Sequence, residues 1–162
     1  MFPSIEELKD LNKKIAPDRK KFIDKLKKTK PKDLDDKVHD LHDEAFDTMD
    51  CLTCANCCKT TSPIFYERDI ERLAKSMKMR PSDFIQKYLH IDGDGDYVLN
   101  VAPCPFLDAD NYCTVYEARP TACREYPHTN RKRMVQILDL TLKNAEICPA
   151  VFWIVEKLRQ LP

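Results

Sequence analysis

Cysteine is concentrated in one part of this chain, and this concentration constrains the fold more than any other feature. Residues 51–58 read Cys-Leu-Thr-Cys-Ala-Asn-Cys-Cys, which places four thiols within eight residues. The first three recur at every third position, so a tight turn or a helical start would bring their sulfurs to one side. Four more cysteines lie further along, at positions 104, 113, 123 and 148. Such a set predicts either metal ligation or a disulfide framework.

The expected cellular compartment decides between these alternatives. The first ten residues lack the basic start and apolar run of a secretory signal, and no apolar stretch reaches membrane-spanning length. We therefore expect a cytoplasmic protein, in which thiols stay reduced. Cysteines separated by two residues are also the usual clamp for zinc or an iron–sulfur cluster. The sequence thus predicts metal ligation, and the candidate ligands are Cys51, Cys54, Cys57, Cys58, Cys104, Cys113, Cys123 and Cys148.

Length and composition suit one compact domain with an appended segment. The chain has 162 residues, of which 43% are hydrophobic, and this is enough for a modest core. Its formal net charge is zero, which removes any global argument for a nucleic acid or an anionic membrane as partner. Both glycines, Gly93 and Gly95, lie in one turn, so no glycine-rich phosphate-binding loop is present.

The first fifty residues contain no cysteine and are dense in charge. Apolar residues at helical spacing predict an amphipathic helix there: Leu34, Val38, Leu41 and Ala45. Pro17 and Pro31 are predicted to break the segment into separate helices. We expect residues 1–50 to form a charged N-terminal helical extension and residues 51–162 to form a cysteine-cluster domain. The extension, with its basic run from Arg19 to Lys32, is also the candidate surface for a protein partner.

Between the two cysteine groups the sequence predicts two helices and a strand. One helix is expected over residues 67–78, a second begins at Pro81, and a short strand runs from Tyr97 to Val101. The acidic run before the strand does not match a calcium loop, since other residues occupy the positions of the required glycine and final carboxylate. A last helix is expected over residues 149–160. The predicted fold is mainly α: a small cysteine-rich metal-binding domain with a minor β-hairpin or short strand, and an N-terminal helical extension.

The later cysteines are predicted to lie near helix starts. Thr114 and Glu117 match a capping box, which would place Cys113 at the entry to a short helix. A proline opens the turn that carries Cys123, and Cys148 directly precedes the proline that begins the last helix. Unpaired N–H groups at a helix start favour a thiolate, so we expect depressed pKa values for these three thiols.

Four motifs together carry a family resemblance. They are Cys-x-x-Cys-x-x-Cys-Cys at 51–58, Cys-Pro-Phe-Leu at 104–107, Cys-x-Val-Tyr-Glu-x-Arg-Pro-x-x-Cys-Arg-x-Tyr-Pro at 113–127, and Cys148-Pro149. Over about residues 48–160 the chain resembles the YkgJ-type cysteine cluster family, also described as a zinc- or iron-chelating domain. The resemblance implies metal chelation by the matched cysteines and no particular reaction. A similar domain occurs in flagellin lysine methylases associated with an iron–sulfur cluster, which makes iron a candidate.

The ligand rules leave zinc and an iron–sulfur cluster open as cofactors, with one or two sites. In either case the first cysteine group supplies only part of a site, which residues 104–148 complete. The resulting hypothesis is a metal-binding protein that chelates zinc or an iron–sulfur cluster through clustered cysteines. The alternative is an iron–sulfur-dependent redox or group-transfer enzyme, or an accessory subunit of one. Its candidate residues lie around the second cysteine group: Glu117, Arg119, Arg124 and Tyr126.

Overall fold

The computed structural model describes all 162 residues, and its fold is mainly α with one two-stranded antiparallel sheet. The predicted fold class is therefore confirmed. The chain forms two compact units. The helical unit consists of Met1–Asp50 and Pro127–Pro162, and the cysteine unit consists of Cys51–Tyr126. Residues 1–50 thus share one unit with the C-terminal helices.

The elements follow one another in this order. The helices are α1 (Ile5–Thr29), α2 (Leu34–Thr48), α3 (Cys51–Cys54), α4 (Asn56–Thr60), α5 (Glu67–Ser76), α6 (Pro81–Tyr88), α7 (Thr121–Glu125), α8 (Leu138–Ala145) and α9 (Pro149–Gln160). The strands are β1 (Leu89–Ile91) and β2 (Tyr97–Leu99), and 3₁₀ turns cover Tyr116–Ala118 and Met134–Ile137. None of the helices combines the length and the apolar composition needed to cross a membrane.

Helix α1 continues through a proline that was predicted to end it. Pro17 lies inside the helix, so the predicted break there is wrong. A proline in a helix removes one backbone hydrogen bond. Here, however, buried residues on both sides of it, Leu8 and Ile23 among them, anchor the helix, and tertiary packing outweighs the local penalty. The second predicted break is confirmed, because Lys30 ends α1 in the left-handed conformation and Pro31 lies in the connection to α2.

Four helices of the helical unit, α1, α2, α8 and α9, bury a common aliphatic core. The four apolar residues that predict α2 are all buried in it. The other helices contribute Ile23, Leu26, Leu138, Ala150, Ile154 and Leu158. Each fully buried leucine or isoleucine side chain contributes roughly 1.5–3 kcal/mol. This unit therefore has an apolar core of its own. Helix α9 has Pro149 at its first position, as predicted.

A carboxylate ties the second 3₁₀ turn of the helical unit to α2. Asp35 accepts hydrogen bonds from the backbone N–H groups of Arg133 (2.6 Å) and Met134 (2.8 Å). Nearby, Nδ1 of His42 lies 2.7 Å from the hydroxyl oxygen of the buried Thr129. These contacts fix the loop that follows residue 127 against α2.

In the cysteine unit, a β-hairpin lies next to α6. Strands β1 and β2 pair with Leu89 opposite Leu99. Between them, Oδ1 of Asp92 accepts hydrogen bonds from the N–H groups two and four residues later (2.9 and 3.0 Å), and Gly95 has a φ of 86°. The acidic run is therefore a turn that leads into a strand, as predicted. The strand ends at Leu99 and not at residue 101.

The core of the cysteine unit is smaller and partly aromatic. The rings of Phe84 and Phe106 are stacked with centroids 6.0 Å apart, and Tyr88 lies 5.0 Å from Phe106. Cys104 and Cys113 pack against this core. Because Phe106 belongs to the same loop as Cys104, burial of the ring anchors the start of the second cysteine group.

Candidate metal centre

The first cysteine group folds into two short helices instead of one. Cys51 and Cys54 lie in α3, whereas Cys57 and Cys58 lie in α4. Ala55 between them has a φ of 47°, in the left-handed region, which ends α3 and starts α4 in a new direction. The first three cysteines therefore do not share one face of a continuous helix.

Cys58 connects the first cysteine group to the second. Its carbonyl accepts a hydrogen bond from the N–H of Cys104 at 2.8 Å. A hydrogen bond from Cys57 lowers the pKa of Cys58 to about 7, with help from the charge of Lys59 and against the effect of burial. A substantial fraction of this thiol is therefore ionised at neutral pH, and the thiolate is the form that binds metal.

Backbone N–H groups favour the thiolates of the second cysteine group. Those of Phe106 and Leu107 act to lower the pKa of Cys104, and that of Val115 acts to lower the pKa of Cys113. Burial raises the pKa of both thiols, and the N–H groups offset this only in part. Hydrogen bonds to sulfur are one of the means by which proteins tune thiolate-bound metal centres.

Cys123 lies in α7, within electrostatic range of three other thiols. Burial of its sulfur and the charges of Cys58, Cys104 and Cys113 raise the pKa of Cys123 to about 12. The residue as a whole remains exposed. This arrangement is unfavourable for four separate thiolates, and a bound cation would relieve it.

Two expectations for the second cysteine group are wrong. Thr114 and Glu117 do not form a capping box, because the 3₁₀ turn there begins without a side-chain cap and the Thr114 hydroxyl donates to a loop carbonyl at 3.1 Å. The pKa values of Cys113 and Cys123 are raised and not depressed, since burial outweighs the effect of such short helical turns. The predicted position of Cys148 is confirmed, because it lies directly before α9 as its N-cap, while a thiolate favoured there stays a prediction.

The structure brings four of the predicted ligands together in the cysteine unit. Each of them interacts electrostatically with the other three: Cys58, Cys104, Cys113 and Cys123. Cys57 contacts Cys58, while Cys148 belongs to the helical unit. No group of three or more His, Cys, Asp or Glu side chains is arranged to hold a metal ion. The donor type, several thiols within one compact unit, is the one that zinc and iron–sulfur clusters take.

A buried carboxylate beside this cluster was missed in the sequence. Asp69, in the first turn of α5, is 0% exposed. It accepts hydrogen bonds from the N–H of Tyr66 (3.2 Å), from Nη2 of Arg72 (2.6 Å), and from the N–H (3.0 Å) and hydroxyl (2.9 Å) of Thr121. Burial alone would raise the pKa of Asp69, but these bonds together hold it below its ordinary value. The carboxylate is therefore ionised at neutral pH.

Arg72 extends this network along the second cysteine group. Its Nε donates to the carbonyl of Ala118 at 3.3 Å, and its Nη2 donates to the carbonyl of Arg119 at 2.9 Å. The only sequence signal for this role is an aspartate in the first turn of a predicted helix. Such an aspartate is ordinary in any helix, and nothing connects it with a threonine 52 positions later.

The residues considered for an enzyme make local contacts instead. The guanidinium of Arg119 lies 3.7 Å from the ring centroid of Tyr116 and donates to its carbonyl at 3.0 Å. Arg124 donates to the carbonyl of Glu117 at 3.2 Å, and the N–H of Tyr126 donates to the carbonyl four residues earlier at 3.0 Å. These contacts stabilise turns around the cysteines. They do not favour the enzyme alternative.

The protein is small and mainly α, and seven of its eight cysteines lie in one compact unit. The family model CxxCxxCC, described as "Putative zinc- or iron-chelating domain", matches residues 50–149, which contain all eight cysteines. The chain belongs to this family, and the resemblance found in the sequence is confirmed. A search of curated proteins and a search of solved structures returned no match.

Proposed function

We propose that this protein chelates zinc or iron through thiolates of the cysteine unit. One observation carries this: Cys58, Cys104, Cys113 and Cys123 lie in one compact unit and within electrostatic range of one another. Four thiolates complete a structural zinc site, and they also hold an iron–sulfur cluster. The N–H groups that favour the thiolates of Cys104 and Cys113 support the same conclusion, because they stabilise negative charge on sulfur.

The remaining cysteines are candidate ligands of lower rank. Cys51, Cys54 and Cys57 belong to the same unit, and they would serve a second site or replace a ligand of the first. Cys148 belongs to the helical unit, and its ligation stays a prediction. Bound zinc would cross-link the loops of the cysteine unit, whereas an iron–sulfur cluster would in addition supply electron transfer.

We propose that the metal site either stabilises the fold or serves a partner protein, to which it would supply metal or redox chemistry. The candidate surface for a protein partner is the N-terminal helical region, where α1 exposes a row of lysines: Lys13, Lys14, Lys20, Lys21, Lys25 and Lys28. The compartment that we propose is the cytoplasm, because reduced thiols are required for ligation.

Binding must displace protons from the ligands, and this makes the proposal testable by pH. Burial raises the pKa of Cys104, Cys113 and Cys123, so all three thiols are protonated at pH 7, whereas Cys58 is about half ionised. Binding at pH 7 should therefore release about three to four protons, one from each of these three thiols and a fraction from Cys58. The apparent affinity should rise with pH, by up to about tenfold per pH unit for each proton released.

Metal analysis of anaerobically purified full-length protein is the first test. A brown protein that bleaches on reduction would indicate a cluster, and a colourless protein with stoichiometric zinc would indicate a zinc site. We expect Cys104→Ser and Cys123→Ser to lose the metal, while Asp35→Asn in the helical unit retains it. The metal content of Cys148→Ser tests whether that thiol is also a ligand. Wild-type metal content and proton release in Cys104→Ser and Cys123→Ser would overturn the proposed ligand set.

A further inference from the structure

We infer that Asp69 and Arg72 are positioning residues for the proposed centre. They act not as ligands but by fixing the segment between Cys113 and Cys123, on which shared ligation by these two thiols depends. This inference rests on the proposed function. It starts from the segment that joins the two cysteines, whose only regular structure is a 3₁₀ turn of three residues and a helix of five residues, α7. Helices this short are not stable on their own in water, so other residues must fix the segment.

Asp69 and Arg72 contact three of the four consecutive residues in the middle of that segment. Arg72 binds the carbonyls of Ala118 and Arg119, and Asp69 binds both the N–H and the hydroxyl of Thr121. These groups lie where the 3₁₀ turn ends and α7 begins, so the pair determines how one follows the other. Cys123 comes two residues after Thr121 and therefore takes its position from this junction.

Helix α5, which contains Asp69 and Arg72, is itself anchored by buried residues. Asp69 lies in α5, whose neighbouring residues Ile70, Leu73 and Ala74 are each at most 3% exposed. Oδ1 of Asp69 accepts three of the four hydrogen bonds, and Arg72 closes the network within the same helix. Because the Asp69 carboxylate is buried and both of its oxygens accept hydrogen bonds, a shift of the segment would leave a buried charge without its donors.

An asparagine cannot reproduce this arrangement. All groups around the carboxylate are donors, so the NH₂ of an asparagine would face at least one N–H group. Replacing a partner that orients metal ligands typically weakens metal binding by about 10- to 100-fold. We therefore expect Asp69→Asn to bind metal more weakly although all eight cysteines are present.

The test uses full-length protein with two probes, Zn²⁺ in competition with a chromophoric chelator and Co²⁺, whose absorption reports thiolate ligation. Asp69→Asn should weaken Zn²⁺ binding by about 10- to 100-fold and alter the Co²⁺ spectrum. Thr121→Val, which removes only the hydroxyl donor, should shift both readouts in the same direction by less. Thr121→Ser restores the hydroxyl and should restore wild-type values.

Asp35→Asn is the matched control, because Asp35 also accepts backbone N–H bonds across the chain but lies in the helical unit. It should lower the melting temperature without changing Zn²⁺ affinity. Equal losses of Zn²⁺ affinity in Asp35→Asn and Asp69→Asn would show that the effect comes from general instability, and this would overturn the inference.

The remaining outcomes separate the two proposals. If the wild type binds Co²⁺ through thiolates while Asp69→Asn and Thr121→Val match it in both readouts, the inference fails and the proposed function stands. If the wild type gives no thiolate–cobalt absorption and no Zn²⁺ binding, both fail. Should Asp69→Asn not fold, the comparison of Thr121→Val with Thr121→Ser decides.

Discussion

The helical unit and the cysteine unit are stabilised in different ways. The helical unit has helices of 25 and 15 residues, α1 and α2, and buries an aliphatic core between them and the two C-terminal helices. The longest helix of the cysteine unit, α5, has ten residues, and the helical turns around its second cysteine group have three to five. Local structure of that length is marginal in water. The cysteine unit therefore depends on connections between its loops.

Both units bury polar side chains, but in different settings. In the helical unit, Arg19 is 1% exposed, and Phe152, Glu156 and Asn12 surround its guanidinium. Thr129, Thr141 and Asn144 of this unit are buried as well. In the cysteine unit, Asp69 and the neighbouring thiols lie where loops meet. The comparison suggests that the helical unit relies mainly on apolar burial, whereas the cysteine unit combines a smaller apolar core with hydrogen bonds between its loops.

Metal removal should have the largest effect, because we expect it to destabilise the cysteine unit and to leave the helical unit intact. Structural zinc contributes apparent binding free energies of about 10–16 kcal/mol, and that free energy is folding free energy for the region it cross-links. We expect a chelator to expose the amides of residues 104–123 to hydrogen exchange, while amides of α2 and α9 stay protected. Hydrogen exchange of full-length protein with and without chelator measures this. Identical protection in both states would show that the cysteine unit does not depend on metal.

Truncation in the aliphatic core should have the next largest effect. Ile154 is 1% exposed, so Ile154→Ala should destabilise the helical unit by about 2–5 kcal/mol, and Ile154→Val by about 0.5–1.5 kcal/mol. Denaturant unfolding measures the loss, with Ile91→Ala at a site that is 58% exposed as the control. Metal content should not change. If Ile154→Ala lost metal as readily as Cys104→Ser, the two units would not differ in the way proposed.

The elements that could be predicted are those determined by neighbouring residues. Helix α2 follows from apolar residues at helical spacing, and the starts of α6 and α9 follow from Pro81 and Pro149. Pro17 shows the limit of such rules, because the packing of residues far apart in the chain keeps α1 intact. Local propensity cannot contain that information.

The candidate site depended on distant contacts and was predictable only in its chemistry. Cysteine spacing indicated metal ligands, but it could not group Cys58 with Cys104 and Cys123, nor anticipate the left-handed Ala55 that divides the first cysteine group. The pKa values of Cys113 and Cys123 were predicted in the wrong direction, because burial and neighbouring thiols are properties of the folded chain. Asp69 was missed for the same reason.

The smallest expected effect is the pH dependence of the stability that the Asp69 carboxylate contributes. Its pKa in the folded protein lies below the ordinary value of 3.8, so its bonds stabilise the fold above that pH and are lost as the pH falls through the lower value. At neutral pH, Asp69→Asn should cost about 1–3 kcal/mol, the usual penalty for an unsatisfied buried donor. As the pH falls below 3.8, this gap between wild type and variant should close. Denaturant unfolding at a series of pH values measures it, with the exposed Asp43→Asn as the control for a lost carboxylate. A gap that stayed constant down to the lowest pH would mean that the ionised carboxylate of Asp69 does not hold the second cysteine group in place.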